Sequence, residues 1–204
     1  MTSVLVVEDE SFVRATVTSA LRFHEYDVVA SASSSAEAIE AFRLHLPDVV
    51  LLDLDLGAGP TGVDIALGMR RVRPEVGIVF LTSFEDPRLL DSRLTNMPER
   101  CAYVVKQSLE DTAFLAAAID GCDEGGQIPR VNLTASQAET LRLLAAGLSN
   151  EEIARLRVVK VSAVEKTIRR TAEALRLGKV EHTNQRVALA REYYRMAGFD
   201  RGTS

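Results

Sequence analysis

Five polar residues that stand at or directly after short apolar runs carry groups that could do chemistry together. They are three carboxylates, a hydroxyl and an amine: Glu8, Asp9, Asp53, Thr82 and Lys106. Three converging carboxylates repel one another unless a cation joins them, and hard oxygen ligands with room for water suit Mg²⁺. A carboxylate beside such an ion could attack a phosphoryl group and become an acyl phosphate. The amine and the hydroxyl could then hold the phosphate oxygens.

The runs that precede these groups lack polar–apolar alternation, which is typical of parallel strands buried on both faces. We predict strands at 4–7, 49–52, 76–81 and 102–105, with a weaker fifth at 27–31. Helical patterns lie between them, at 11–23, from 35 onward, at 63–72, after Pro87 and at 109–119. This alternation predicts an α/β doubly wound parallel sheet, in which functional groups gather at the carboxyl ends of the strands.

Length and residue content exclude several classes of protein. The chain has 204 residues, which is enough for one large or two small domains. No apolar run approaches the roughly 18 residues of a membrane helix, and the first residues carry no secretory signal. Cys101 and Cys122 cannot form a disulfide framework. We therefore expect a cytoplasmic protein that has no contact with a membrane.

Charge is distributed unevenly along the chain. Residues 1–122 carry 10 basic and 19 acidic side chains, a net −9, whereas residues 133–204 carry 13 and 8, a net +5. The stretch between them is rich in turn residues, and Gly125-Gly126 would make a flexible joint. These observations predict one domain at 1–122, a linker at 123–132 and a basic domain at 133–204 whose partner is a polyanion.

Residues 1–122 resemble the receiver domain of two-component response regulators, which has a flavodoxin-like fold with five parallel strands. The resemblance implies that Asp53 is the phosphoacceptor, and that a sensor histidine kinase or a small phosphodonor supplies its phosphoryl group. It also implies a Mg²⁺ site in which Asp9 and Asp53 are direct ligands and Glu8 acts directly or through water. The backbone carbonyl of Asp55 would complete the protein ligands.

The same resemblance assigns the switch residues. Thr82 would be the switch hydroxyl, Tyr103 the switch aromatic and Lys106 the cation that binds the phosphate. A half-buried strand tyrosine without a switch role is the alternative for Tyr103. The loop between Asp53 and Gly62 is one residue longer than the family pattern, so access to the acceptor is expected to differ.

The last third of the chain contains repeated helix-start signals. Capping boxes are predicted at Thr134-x-x-Gln137, Ser149-x-x-Glu152 and Ser162-x-x-Glu165. The third would open a helix at 162–175 with one apolar and one basic face. A final helix is predicted at 183–197.

Residues Leu133 to about Gly198 resemble the four-helix, helix-turn-helix DNA-binding domain of the LuxR/NarL class. The resemblance implies double-stranded DNA as a partner and makes 162–175 the recognition helix. Lys166 and Arg169 match positions that face bases, while Thr167 and Arg170 match phosphate contacts. Glu165 stands where the family usually has lysine. The full predicted DNA-contacting set is Lys160, Ser162, Glu165, Lys166, Thr167, Arg169 and Arg170.

The final helix carries two apolar stripes. Val187, Ala190 and Tyr194 form one, and Leu189, Tyr193 and Met196 form the other. One stripe should pack on its own domain, and the resemblance implies that the other is a two-fold seam of an active homodimer. A single broad core face is the alternative.

The sequence thus predicts a transcriptional response regulator, which is not an enzyme. A phosphorylation-independent regulator, or an interaction protein with a degenerate DNA-binding domain, is the alternative. A phosphatase of the haloacid dehalogenase type also uses an Asp-x-Asp pair, as in Asp53-x-Asp55. In phosphatases of that class the Asp-x-Asp pair follows the first strand, whereas Asp53 follows the predicted strand at 49–52. A phosphatase function would also leave the predicted helix-turn-helix unexplained.

Overall fold

The computed structural model describes five stretches of the chain: 1–57, 59–90, 101–122, 133–177 and 184–198. These residues pack into two compact units. The sheet unit contains 1–57, 59–82 and 101–122. The helical unit contains 83–90, 133–177 and 184–198.

The sheet unit is built on five parallel strands in the spatial order β2-β1-β3-β4-β5, which confirms the predicted doubly wound sheet. The strands are β1 Ser3–Val7, β2 Asp27–Ala32, β3 Val49–Asp53, β4 Gly77–Thr82 and β5 Cys101–Val105. Every residue of β3 and β4 is buried, because helices cover both faces of the central strands. The edge strand β2 is only partly buried, which explains its weaker apolar pattern.

Four α-helices belong to the sheet unit: α1 Ser11–Phe23, α2 Ser35–His45, α3 Gly62–Val72 and α4 Ala113–Asp120. The prediction of a helix from 109 was wrong by one turn, because a 3₁₀ turn occupies Lys106–Glu110. The Asp111 carboxylate accepts a hydrogen bond from the Ala113 N–H at 2.9 Å, and this local bond competes with helix at that point.

Two predicted features fall largely outside the described stretches. After Pro87 the structure shows one 3₁₀ turn, Pro87–Leu89, and any continuation of the predicted fourth helix beyond residue 90 falls outside the described residues. The predicted linker at 123–132 also lies outside the described residues.

The helical unit contains α5 Ala135–Ala145, α6 Asn150–Leu156, α7 Val161–Ala174 and α8 Gln185–Met196. Two of the predicted capping boxes are confirmed, at Thr134 with Gln137 and at Ser149 with Glu152. The Ser162–Glu165 box is wrong, because α7 begins at Val161 with Lys160 as N-cap and no capping side chain. Val161 packs against the core of the unit, so hydrophobic contact sets the start of the helix.

The two stripes of α8 have different environments. Leu189 and Met196 are fully buried in the core of the helical unit, whereas Val187 and Tyr194 are nearly half exposed. Ala190 of the first stripe packs against the same core and the Tyr194 hydroxyl donates to the Ala145 carbonyl at 3.1 Å, so both alternatives for this stripe stay open. None of the helices in the described stretches has the length and apolar content for crossing a membrane.

Candidate functional site

Three carboxylates converge at one end of the sheet. Asp53 is the last residue of β3, and Glu8 follows the last residue of the neighbouring strand β1. One oxygen from each of these side chains and one from Asp9 all lie within 4.8 Å of one another. Glu8 and Asp53 are buried and Asp9 is exposed, so the cluster reaches solvent through Asp9.

Lys106 joins two of these carboxylates. It follows the last residue of β5, which is two strands from β3, so its side chain reaches beyond the width of β4. Its Nζ donates to Asp53 Oδ2 at 2.8 Å and to Glu8 Oε1 at 2.9 Å. Glu8 Oε2 also lies 2.8 Å from the same nitrogen, so the amine faces both oxygens of this carboxylate.

The electrostatics of the cluster follow from burial and mutual repulsion. Burial, followed by the charge of Asp53, raises the pKa of Glu8 to about 7. Burial also raises the pKa of Asp53, despite the neighbouring amine. Burial alone would lower the pKa of Lys106, but the two carboxylates hold it above its ordinary value. A single fixed cation thus faces more negative charge than it can neutralise, and this donor set of carboxylate oxygens fits a hard divalent ion.

The backbone around Asp53 fixes the direction of its carboxylate. Asp53 Oδ1 accepts a hydrogen bond from the Asp55 N–H at 3.1 Å. Gly62, the first residue of α3, donates its N–H to the Leu54 carbonyl at 3.1 Å. A Cβ on Gly62 would lie 2.3 Å from the Asp53 carbonyl oxygen, so only glycine permits this close approach. The long loop therefore returns to the acceptor strand, while the predicted ligand role of the Asp55 carbonyl stays a prediction.

A residue that the sequence reasoning missed holds the acidic pair. The Arg14 guanidinium donates to the Glu8 carbonyl at 2.6 Å and to the Asp9 carbonyl at 3.1 Å. The sequence did contain a signal for this contact, because an arginine in the first turns of a helix can reach back to an acidic run that directly precedes the helix. Arg14 thereby positions the two carboxylates through their backbone.

The two predicted switch residues are both buried. Thr82 is the last residue of β4, at the same end of the sheet as the carboxylates. Tyr103 lies in the middle of β5, paired in register with Phe80 of β4. Only 7% of Tyr103 is exposed, which places it deeper than a half-buried strand tyrosine. The switch roles of Thr82 and Tyr103 remain predictions.

The predicted DNA-contacting residues lie on one side of α7 and at its start. Val164 and Ile168 on the opposite side are buried in the core. Thr167 is half-buried, and its hydroxyl donates to the Ala163 carbonyl at 2.9 Å. The remaining members are exposed, namely Lys160, Ser162, Glu165, Lys166, Arg169 and Arg170.

The turn before α7 is held by an arginine that the predicted set does not contain. Arg157 pairs with Glu139 at 3.1 Å and donates to the Ser136 hydroxyl at 2.7 Å and to the Thr140 hydroxyl. All three partners lie on α5. These contacts tie the α6–α7 turn to α5.

Comparison with known proteins agrees with this geometry. Residues 4–118 match the family described as the response regulator receiver domain. The chain belongs to this family. The oxygen regulatory protein NreC of Staphylococcus haemolyticus (strain JCSC1435) is 26% identical over 187 residues, which cover 79% of this chain and 85% of NreC.

Solved structures extend the likeness to both units. RcsB from Salmonella enterica serovar Typhimurium, bound to promoter rprA in the presence of phosphomimetic BeF3⁻, has a TM-score of 0.59 at 20% identity and covers 95% of this chain and 98% of RcsB. The N-terminal domain of a response regulator/sensory box/GGDEF 3-domain protein from Carboxydothermus hydrogenoformans has a TM-score of 0.52 at 27% identity, covering 60% and 94%. The chain therefore carries a response regulator receiver domain, and a unit of four helices, α5 to α8, follows it in the chain.

Proposed function

We propose that the protein is a transcriptional regulator that phosphorylation of Asp53 switches and that binds double-stranded DNA through α7. The observation that carries the proposal is the bridge of Lys106 between Asp53 and Glu8, with Nζ–O distances of 2.8 and 2.9 Å. A cation so placed can move from Glu8 to the oxygens of a phosphoryl group on Asp53. The protein would receive that group in the cytoplasm, where a sensor histidine kinase or a small phosphodonor supplies it.

The chain's own groups account for the transfer. A carboxylate oxygen of Asp53 attacks phosphorus, a P–O bond forms, and the P–N bond to the phosphohistidine of the kinase breaks with its electron pair retained by the imidazole. Lys106 and the Thr82 hydroxyl then hold the phosphoryl oxygens. Asp9 and Asp53, with Glu8 directly or through water and the carbonyl of Asp55, would hold Mg²⁺. Bound there, the ion would neutralise charge on the phosphoryl oxygens.

The helical unit supplies the output. We assign Lys166 and Arg169 to base edges, and Arg170 with Thr167 to phosphates, since the N-terminal half of a recognition helix enters the major groove. The exposed stripe with Val187 and Tyr194 would form the two-fold seam of the active homodimer. In domain terms the proposal is a receiver at 1–122, a linker at 123–132 and a DNA-binding domain at 133–204.

Intact-mass spectrometry with a small phosphodonor tests the phosphorylation. With Mg²⁺ present, the wild-type chain should gain one acid-stable, base-labile phosphate, and Asp53→Asn should gain none. Asp55→Asn is the matched control, because only the backbone carbonyl of that residue is assigned a role. No gain by the wild type, or equal labelling of Asp53→Asn, would refute the assignment.

Selection of genomic DNA fragments by the purified full chain, with and without phosphodonor, tests the output. We expect tighter and more selective binding in the phosphorylated protein. Arg169→Ala should weaken selection, whereas Arg191→Ala, an exposed arginine on α8, should not. Selection that is identical with and without phosphodonor would instead favour a phosphorylation-independent regulator, and no binding at low salt would favour an interaction protein.

A further inference from the structure

An apolar groove lies between α2 and α3 on the surface of the sheet unit, with a volume of about 180 Å³. Phe42, Ile65 and Met69 are buried and form its floor. Ile39 and Val72 stand at its rim, where they are 39% and 58% exposed. A concave apolar surface that stays open to solvent is typical of a binding site for a small molecule.

The groove owes its depth to a glycine in the middle of α3. Gly68 lines the groove, and nothing lies within 4 Å of the position that a Cβ would occupy. Glycine in the interior of a helix is destabilising relative to alanine. Neither close packing nor a positive φ requires glycine here, so its effect on the structure is the space that it leaves between the two helices.

Polar contacts hold both ends of the groove. At one end, the Thr61 hydroxyl and N–H donate to the Asp64 carboxylate at 2.7 and 3.1 Å, in the capping box that opens α3. At the other end, Arg73 directly follows α3 and donates to the carbonyls of Leu46 and Pro47, which directly follow α2. These contacts fix the spacing of the two helices, so the groove is formed before any ligand binds.

The two charged residues that line the groove differ in their commitments. Asp64 already accepts the hydrogen bonds of the capping box. Arg43, in the last turn of α2, is exposed and has no ion pair or hydrogen bond with any residue that the structure describes. Arg73, by contrast, pairs with Asp48 and Glu75 at 3.0 and 3.1 Å. A guanidinium beside an apolar groove is complementary to a carboxylate that ends an apolar tail.

We propose that the groove between α2 and α3 binds a small carboxylic acid, whose carboxylate pairs with Arg43 and whose apolar tail covers the floor. From Ile65 to Val72 the groove follows about 10 Å of helix, which is the length of an unbranched chain of about eight carbon atoms. A macromolecular partner fits poorly, because a stable protein interface takes roughly 800 Å² from each partner and this groove offers far less. The site would give the regulator a chemical input that is separate from phosphorylation.

Titration of the isotope-labelled full chain with octanoate, followed by nuclear magnetic resonance, tests the site. We expect saturable shifts of the amide signals of 39–43 and 65–72, with a Kd of about 1 mM or lower. Octanol has the same length but no charge, so it should bind about fivefold more weakly. Octanoate binding without shifts in these two ranges, no binding up to about 10 mM, or equal affinity for octanol would each overturn the proposal.

Two substitutions separate this site from nonspecific uptake of an amphiphile. Gly68→Leu fills the groove and should weaken octanoate binding about tenfold, while the open space at this position lets the fold accept the side chain. Arg43→Gln should weaken octanoate binding about fivefold and leave the affinity for octanol unchanged. Arg71→Gln is the matched control, since this exposed arginine of α3 does not line the groove. Wild-type affinity in Gly68→Leu, or equal losses in Arg43→Gln and Arg71→Gln, would contradict the assignment.

Discussion

The strand-end site and the exposed face of α7 place charge in opposite environments. At the strand ends, Glu8 and Asp53 are buried and share one amine. On α7, Lys166 and Arg169 face solvent. A buried charge must be paired to be tolerated, so each member of the first set is constrained by the others. An exposed charge carries no such constraint, so its identity can change without a cost to the fold.

This difference explains where the chain departs from the patterns it resembles. The chemical groups expected of a receiver site are all present, whereas α7 has Glu165 where the resemblance leads one to expect lysine. The buried residues of the first region carry chemistry that the chain shares with its family. The exposed residues of the second region would determine which DNA sequence this chain selects under the proposed function.

The largest expected effect is the loss of stability when Lys106 is replaced. Lys106→Ala leaves two buried carboxylates without their cation and should lower the free energy of unfolding by about 3–5 kcal/mol in Mg²⁺-free buffer at pH 8. Glu8 has a pKa raised to about 7, so its carboxylate is mostly protonated at pH 5 and the loss should shrink there. Urea unfolding at both pH values measures this.

Lys166→Ala is the control for that prediction. This lysine is exposed, so its removal should change the free energy of unfolding by about 0.5 kcal/mol or less. Equal losses in Lys106→Ala and Lys166→Ala would remove the contrast between the two regions.

The next effect concerns the close approach at Gly62. Gly62→Ala would force a Cβ to within 2.3 Å of the Asp53 carbonyl and should destabilise the protein by about 1–3 kcal/mol, with slower phosphorylation. Gly68 also lies in α3, but nothing is within 4 Å of its Cβ position. Gly68→Ala should therefore stabilise the protein by about 0.5–1 kcal/mol. Thermal unfolding of both variants measures these changes. If Gly62→Ala is more stable than the wild type, the contact between the start of α3 and the Asp53 carbonyl is looser than described.

Glu165 offers a smaller effect that is confined to binding. It makes no capping bond, since Lys160 is the N-cap of α7, so Glu165→Gln should leave stability unchanged. The glutamate repels phosphates and can accept from the amino group of cytosine. The variant should therefore bind nonspecific DNA more tightly and lose about 1–3 kcal/mol of discrimination at one position of the selected site. Glu173→Gln, further along the exposed side of α7, is the control. An unchanged selected sequence for Glu165→Gln would eliminate the base contact.

The smallest effect concerns the turn before α7. Val158 has a φ of 53°, a left-handed conformation that is unfavourable for a β-branched residue, and the residue is 89% exposed. Val158→Gly should raise the free energy of unfolding by about 1 kcal/mol or less. Val159→Gly, at a neighbouring position without positive φ, should lower it. If both variants are destabilised, the turn is not strained.

Much of the sheet unit is predictable from sequence because its signals are local. Apolar runs placed the strands within about two residues, and parallel pairing then brought Asp53 and Glu8 to one edge without further information. The capping boxes at Thr134 and Ser149 are equally local. At Ser162 the same rule failed, because the packing of Val161 decided where the helix starts.

Contacts between distant parts of the chain could not be predicted in this way. Nothing in residues 83–90 distinguishes Phe84 and Leu89 from the apolar residues of an ordinary receiver segment, because the helices whose core they share lie more than 40 residues away. Arg157 is a similar case, since its three partners on α5 lie 17 to 21 residues away and no local signal identifies them.

The packing of residues 83–90 also bears on how such regulators can be recombined. A hybrid joined between 122 and 133 would keep Phe84 and Leu89 with this receiver but supply them with the core of a foreign helical domain. Two apolar side chains would then lack a matching site, and exposed apolar surface promotes aggregation. Exchanging the helical domain between relatives should therefore succeed only when residues 83–90 are exchanged along with it, so the functional module is discontinuous in the chain.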